Sequence, residues 1–128
     1  MPDTLNVLIV DDDEAVRQLF SDIITMLGFA PKAVSDGITA LQQIKSNSFS
    51  LIILDMRIPD MNGLETFKGI RKLDSGVPVV LTTGFGIDQH VKEALSLGAL
   101  LCLEKPFNVA RAMKTLREII EKESPGSK

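Results

Sequence analysis

Three short stretches of the chain, Val7-Leu8-Ile9-Val10, Leu51-Ile52-Ile53-Leu54 and Val79-Val80-Leu81, are almost continuously apolar and rich in β-branched residues. Strands covered on both faces of a parallel sheet read this way, because side chains on neither face meet water. Leu100-Leu101-Cys102-Leu103 predicts a similar strand, poorer in β-branching. Ala30 to Val34 predicts a weaker one, placed at an edge because Pro31 lacks the ladder donor.

Between these runs the period becomes helical. Val16, Leu19, Phe20, Ile23, Ile24 and Leu27 follow the i, i+3, i+4, i+7 pattern, and Gly28 is a natural stop. Val109, Ala112, Met113, Leu116, Ile119 and Ile120 repeat it behind Asn108 as N-cap. Shorter stripes fall at Ile38/Leu41/Ile44, Leu64/Phe67/Ile70 and Val91/Ala94/Leu95, the last ended by Gly98. The order is strand then helix, five times over. Alternating βα units with right-handed crossovers build an α/β doubly wound parallel sheet with helices on both faces. Ligands of such sheets bind outside the carboxyl ends of the strands. No repeat or second domain is visible: residues 1–122 are expected to fold as one domain, with 123–128 as a tail or linker stub.

Composition narrows the class without changing the fold. At 128 residues, 45% apolar and 24% charged, the chain is globular. The net charge of −3 offers no broad attraction to nucleic acid or anionic membrane, so neither is an expected partner. A single cysteine, Cys102, excludes an internal disulfide framework and a cysteine-based zinc site. Met1 to Asn6 holds no basic leader region, and no apolar run approaches the roughly 18 residues of a membrane span. The expected location is the cytoplasm.

The polar residues at the strand ends carry the chemistry. The first buried run ends in Asp11-Asp12-Asp13-Glu14, the third strand in Asp55, the fourth in Thr82-Thr83-Gly84 and the fifth in Glu104-Lys105-Pro106. Each alone has a plain explanation: an N-cap with first-turn acids, a turn, a strand end, a surface loop. Together, on this fold, they bring distant carboxylates, a hydroxyl and a lysine to one cleft. Clustered carboxylates call for a cation, and hard oxygens suit Mg²⁺. Lysine and hydroxyl complement negative charge arriving on a phosphoryl group, and Asp is a competent phosphoryl-accepting nucleophile.

These same residues resemble the two-component response-regulator receiver family (the CheY-like superfamily) over about Asn6 to Ile120. The marks are Val10-Asp11-Asp12, Leu54-Asp55-Met56-Arg57-Ile58-Pro59-Asp60-Met61-Asn62-Gly63, Leu81-Thr82-Thr83-Gly84 and Glu104-Lys105-Pro106-Phe107. The resemblance implies a flavodoxin-like three-layer sandwich with a five-stranded sheet of order 2-1-3-4-5. It implies Asp55 as phospho-acceptor, with Mg²⁺ held by Asp12, Asp55 and the backbone carbonyl of Arg57, and by Asp11 through water. Thr83 would bond the phosphoryl group, Thr82 would belong to the strand, and Lys105, before a cis peptide to Pro106, would pair with the phosphoryl oxygens. Asp13 receives no ligand role, and His90 is read as a solvated residue of the fourth helix. The implied partners are a sensor histidine kinase or phosphotransfer protein, an output domain or partner outside this chain, and a second copy through the face of helix four, strand five and helix five. The family is a signalling switch rather than an enzyme acting on other molecules.

One position departs from the family. Cys102 stands three before Lys105, where the family usually has Tyr or Phe, and reads as a small buried strand residue. Output is then expected through the loop Thr83-Gly84-Phe85-Gly86, with Phe85 as the moving aromatic and as a residue that, with Arg57, tunes hydrolysis. Rival functions remain. In a haloacid-dehalogenase-type phosphatase Asp11-x-Asp13 would supply the nucleophile, Asp11, and the acid, but no strand after Lys105 offers the late paired acids. A flavodoxin-type electron carrier would place a Ser/Thr/Gly-rich loop where this chain has four acids. A pseudo-receiver would bind partners without phosphorylation.

Overall fold

The computed structural model describes residues 5–58, 60–84 and 86–123. Five strands alternate with five helices: β1 (Asn6–Val10), α1 (Glu14–Met26), β2 (Ala30–Val34), α2 (Gly37–Ser46), β3 (Leu51–Asp55), α3 (Gly63–Leu73), β4 (Val79–Thr83), α4 (Gln89–Ser96), β5 (Leu101–Glu104) and α5 (Val109–Glu123). The strands are parallel and lie in the order β2-β1-β3-β4-β5. The Pro31 strand is thus an edge, as its missing donor requires.

Alternation along the strands sorts the core into two layers. Leu8, Val10, Ile52, Leu54, Val79 and Leu81 meet α2, α3 and α4 through Ala40, Ile44, Leu64, Phe67, Ile70, Val91 and Ala94. Val7, Ile9, Leu51, Ile53 and Val80 meet α1 and α5 through Phe20, Ile23, Ile24, Ala112, Leu116 and Ile120. The same parity aims Asp11 and Asp55, two residues beyond Ile9 and Ile53, toward the α1 and α5 side. The register pairs Val10 with Leu54, Asp55 with Thr82 and Thr83 with Glu104, so the polar tips finish level at one end of the sheet.

Local chemistry fixes the helix ends. Asp13 caps α1 by accepting from Ala15 N–H, Asp36 caps α2, Asn62 caps α3, Asp88 caps α4, and Asn108 accepts from Arg111 N–H at α5. Gly28 and Gly98, at φ 92° and 112°, take the left-handed turn that stops α1 and α4.

Two expectations need correction. β5 begins at Leu101 rather than Leu100, which is 47% exposed, and the strand is only half-buried, because as an edge it has one neighbour and incomplete helix cover. In α2 the buried face is Gly37, Ala40 and Ile44, whereas Ile38 is 56% exposed. Gly37 lies so close to the Met61 and Thr66 side chains that it, and not Ile38, turns inward. The expectations placed on Phe85, on residues 1–4 and on 124–128 of the tail lie outside the described residues.

Candidate functional site

The ends of β1, β3 and β5 bring Asp11, Asp12, Asp55 and Lys105 together. Asp11 and Asp55 are each only 2% exposed, whereas Asp12 is open to solvent. Asp11 Oδ1 accepts from Asp13 N–H at 2.9 Å, and Asp55 Oδ1 accepts from Arg57 N–H at 3.1 Å. Lys105 Nζ stands between the two carboxylates, 3.2 Å from Asp11 Oδ2 and 3.3 Å from Asp55 Oδ2. It donates a hydrogen bond to Asp55. Toward Asp11 Oδ2 it is off the bonding direction, so that buried oxygen is charge-paired but accepts no hydrogen bond among the described residues.

Burial, the largest influence, makes Asp55 hard to ionise, and the like charge of Asp11 adds to it. The Arg57 N–H and Lys105 pull the other way, and the balance leaves the carboxyl raised from 3.8 to about 6. At Lys105 burial disfavours the ammonium, but the facing Asp55 and Asp11 outweigh it and hold the group above its ordinary value. The site is therefore acidic and short of positive charge.

Asp11, Asp12 and Asp55 each offer a carboxylate oxygen, all within 4.8 Å of one another, and could hold a metal ion. The chemistry fits: these are hard oxygen donors, one of them the buried, hydrogen-bond-free Asp11 Oδ2. A cavity of about 370 Å³ opens above them, lined by Asp12, Asp13, Asp55, Arg57, Gly84 and Lys105. A larger one of about 460 Å³ runs along β5 and α5.

Thr83 is also at this end, but its hydroxyl donates to Gly86 C=O at 3.3 Å in the absence of a phosphoryl group. The Lys105–Pro106 peptide is cis. Asp13 caps α1, and His90 is exposed on α4. Two supporting residues escaped sequence reasoning. Arg17 of α1 donates to Asp11 C=O at 2.8 Å and holds the β1–α1 turn. Asp60 accepts from Gly37 and Ile38 N–H, each at 2.9 Å, and clips the loop after Asp55 onto the start of α2. Its carboxyl sits below the usual range: slight burial works against this, but the backbone donors prevail. No pattern in sequence announces a bond between residues 23 apart.

Cys102 faces the α4 side of β5, half-buried. Burial first, then the charges of Glu104, Asp88 and Asp55, raise its thiol from 9.0 to about 11. Alkylation by iodoacetamide at pH 8 is therefore expected to run about a hundredfold slower than for an unperturbed cysteine. A rate matching that of free glutathione would contradict this.

Three comparisons bear on this geometry. The sequence profile of the response regulator receiver domain matches residues 7–117. Over 121 residues the chain is 37% identical to a transcriptional regulatory protein CpxR homolog of Haemophilus influenzae, covering 94% of this chain and 52% of that protein. It is 30% identical to sporulation initiation phosphotransferase F of Bacillus subtilis, covering 93% of each. A receiver domain protein (CheY-like) from Methanospirillum hungatei superposes with a TM-score of 0.88 at 26% identity, covering 94% of this chain and 97% of that one. The chain thus spans about half of the first relative and nearly all of the second. The phosphatase and pseudo-receiver alternatives are not favoured.

Proposed function

Because this chain belongs to the response regulator receiver domain family, we propose that Asp55 is the residue that accepts a phosphoryl group from a histidine kinase or phosphotransfer protein. The observation that carries this is Lys105 Nζ, held 3.2 Å from Asp11 and 3.3 Å from Asp55 at the mouth of an open cleft. Asp11 is equally buried, but Asp55 lines the cleft and Asp11 does not.

In the transfer, an Asp55 carboxylate oxygen attacks phosphorus in line, the P–N bond of the donor phosphohistidine breaks, and the imidazole leaves with that electron pair. Lys105 moves from the carboxylates to a phosphoryl oxygen. Arg57 N–H keeps Asp55 oriented. Asp12, Asp55 and the Arg57 backbone carbonyl would hold Mg²⁺, with Asp11 acting chiefly through water. When bound, that ion supplies a hard positive charge that offsets the clustered carboxylates and the phosphoryl oxygens.

The new dianion competes with Gly86 C=O for the Thr83 hydroxyl. Releasing that bond frees the loop ahead of α4, and the α4-β5-α5 face shifts its population between two arrangements. Partners of that face are an output domain or protein outside this chain and a second copy of it, and residues 1–122 act as the receiver. No helix among the described residues is long and apolar enough to cross a membrane, and the proposed place of action is the cytoplasm.

The test is incubation with acetyl phosphate and Mg²⁺, read by intact mass. Wild type is expected to carry one phosphoryl adduct and Asp55→Asn none. Wild type without an adduct, or an adduct that survives in Asp55→Asn, would overturn the assignment.

A further inference from the structure

Thr82 carries a buried hydroxyl at this end of the sheet that the proposed switch does not use. The residue is 0% exposed, and its Oγ1 has no hydrogen-bond partner among the described residues. A buried hydroxyl left unpaired destabilises a fold, and valine would fill the same space without that cost. The preceding residues of the strand, Val79, Val80 and Leu81, are all apolar.

Its position is specific. Thr82 is the ladder partner of Asp55, and the residues two earlier in each strand, Val80 and Ile53, both pack on the α1 and α5 side. Alternation therefore sets Thr82 and Asp55 side by side on one face. Its partner on the other flank, Leu103, lies two residues before Lys105. Thr83, one residue on, belongs to the other parity, and its hydroxyl goes to Gly86. The adjacent threonines serve different groups.

Without a phosphoryl group, both Asp55 oxygens already have donors, Arg57 N–H on Oδ1 and Lys105 Nζ on Oδ2. Phosphorylation through Oδ1 joins that oxygen to phosphorus as a mixed anhydride and draws Lys105 toward the phosphoryl group. With Oδ1 bonded to phosphorus, the oxygen that remains, Oδ2, loses its Lys105 donor at the moment when a buried hydroxyl beside it has none to serve. Resting on Asp55 as acceptor, we propose that Thr82 is a positioning residue whose hydroxyl donates to the Asp55 carboxyl in the phosphorylated form and so favours that form.

Beryllofluoride bonded to an Asp55 oxygen stands in for the phosphoryl group, and thermal unfolding with Mg²⁺ and increasing beryllofluoride gives an apparent affinity. Thr82→Val is expected to melt about 4 °C above wild type without the mimic, since an unpaired hydroxyl is gone. Its beryllofluoride affinity is expected to fall about fivefold, the worth of one neutral hydrogen bond. Thr82→Ser, which keeps the hydroxyl, is expected to bind like wild type. A purely structural residue would move the melting baseline and leave the affinity alone. Wild-type affinity in Thr82→Val, or an equal loss in Thr82→Ser, would overturn the proposal. A wild type that responds no more than Asp55→Asn would instead overturn Asp55 as acceptor, and the proposal with it.

Discussion

Without divalent cations, the protein is expected to lose roughly 3 kcal/mol of unfolding free energy as pH rises from about 4 to about 7. The cause is Asp55, whose carboxyl titrates at about 6 in the folded chain against an ordinary 3.8. Between those values the folded chain keeps a proton that the unfolded chain has released. Stability from this group is therefore complete below 3.8 and lost as pH climbs through about 6. Asp60 has the opposite sense, its stabilisation disappearing only as pH falls below the ordinary carboxylate value, and Lys105 responds only above the lysine range. Neither falls in the window. Urea titrations in a chelator should show the loss in wild type and a flatter profile in Asp55→Asn, which should be the more stable protein at pH 7. Added Mg²⁺ should recover part of the wild-type loss. Parallel profiles for the two proteins would contradict the electrostatic description of the site.

Gly63→Ala is expected to cost about 3 kcal/mol, at the upper end for overpacking, because the obstacle is main chain. A Cβ there would collide with Met56 Cα and lie 2.8 Å from Met56 O. Gly63 N–H also donates to that carbonyl at 3.1 Å, closing the loop that follows Asp55. No rotamer change relieves the clash, so the loop carrying Arg57 must move, and phosphoryl acceptance should weaken with stability. Gly76→Ala is the control: beyond its chain neighbours, no atom of the described residues lies within 4 Å of a Cβ there, and the change should stay within about 0.5 kcal/mol. Equal urea midpoints for the two variants would refute the close approach.

Much of the architecture was legible because the strands are buried on both faces. Val7 to Val10 and Leu51 to Leu54 have no polar position to spare, and that pattern separates a central parallel strand from an amphipathic one. β5 was harder, since Leu100-Leu101-Cys102-Leu103 is as apolar as a central strand although it lies at an edge; hydropathy does not report how many neighbours a strand has. Ile38 misled for a related reason. Periodicity finds an apolar stripe, but the close packing of Gly37 against Met61 and Thr66 decided which face turns inward.

The acidic cluster was legible from strand ends alone, because a parallel sheet delivers every strand's carboxyl end to one side. What the acids do individually was not. Asp13 caps the α1 backbone while its neighbours Asp11 and Asp12 join Asp55 in the carboxylate cluster, a division set by one cap geometry. Asp60 stood in a Pro-Asp-Met-Asn-Gly turn, and its task at the α2 start needs the tertiary fold. Thr82 and Thr83 are chemically identical in sequence, and only strand parity assigns them to different faces.

The most direct measurement locates the phosphoryl group itself. Wild type treated with acetyl phosphate and Mg²⁺, then reduced with borohydride, converts an aspartyl phosphate to homoserine, which peptide sequencing by mass spectrometry assigns to a position. Homoserine at position 55, and at neither 11 nor 12, is the expected result. Homoserine at position 11 would contradict it and make Asp11 the nucleophile.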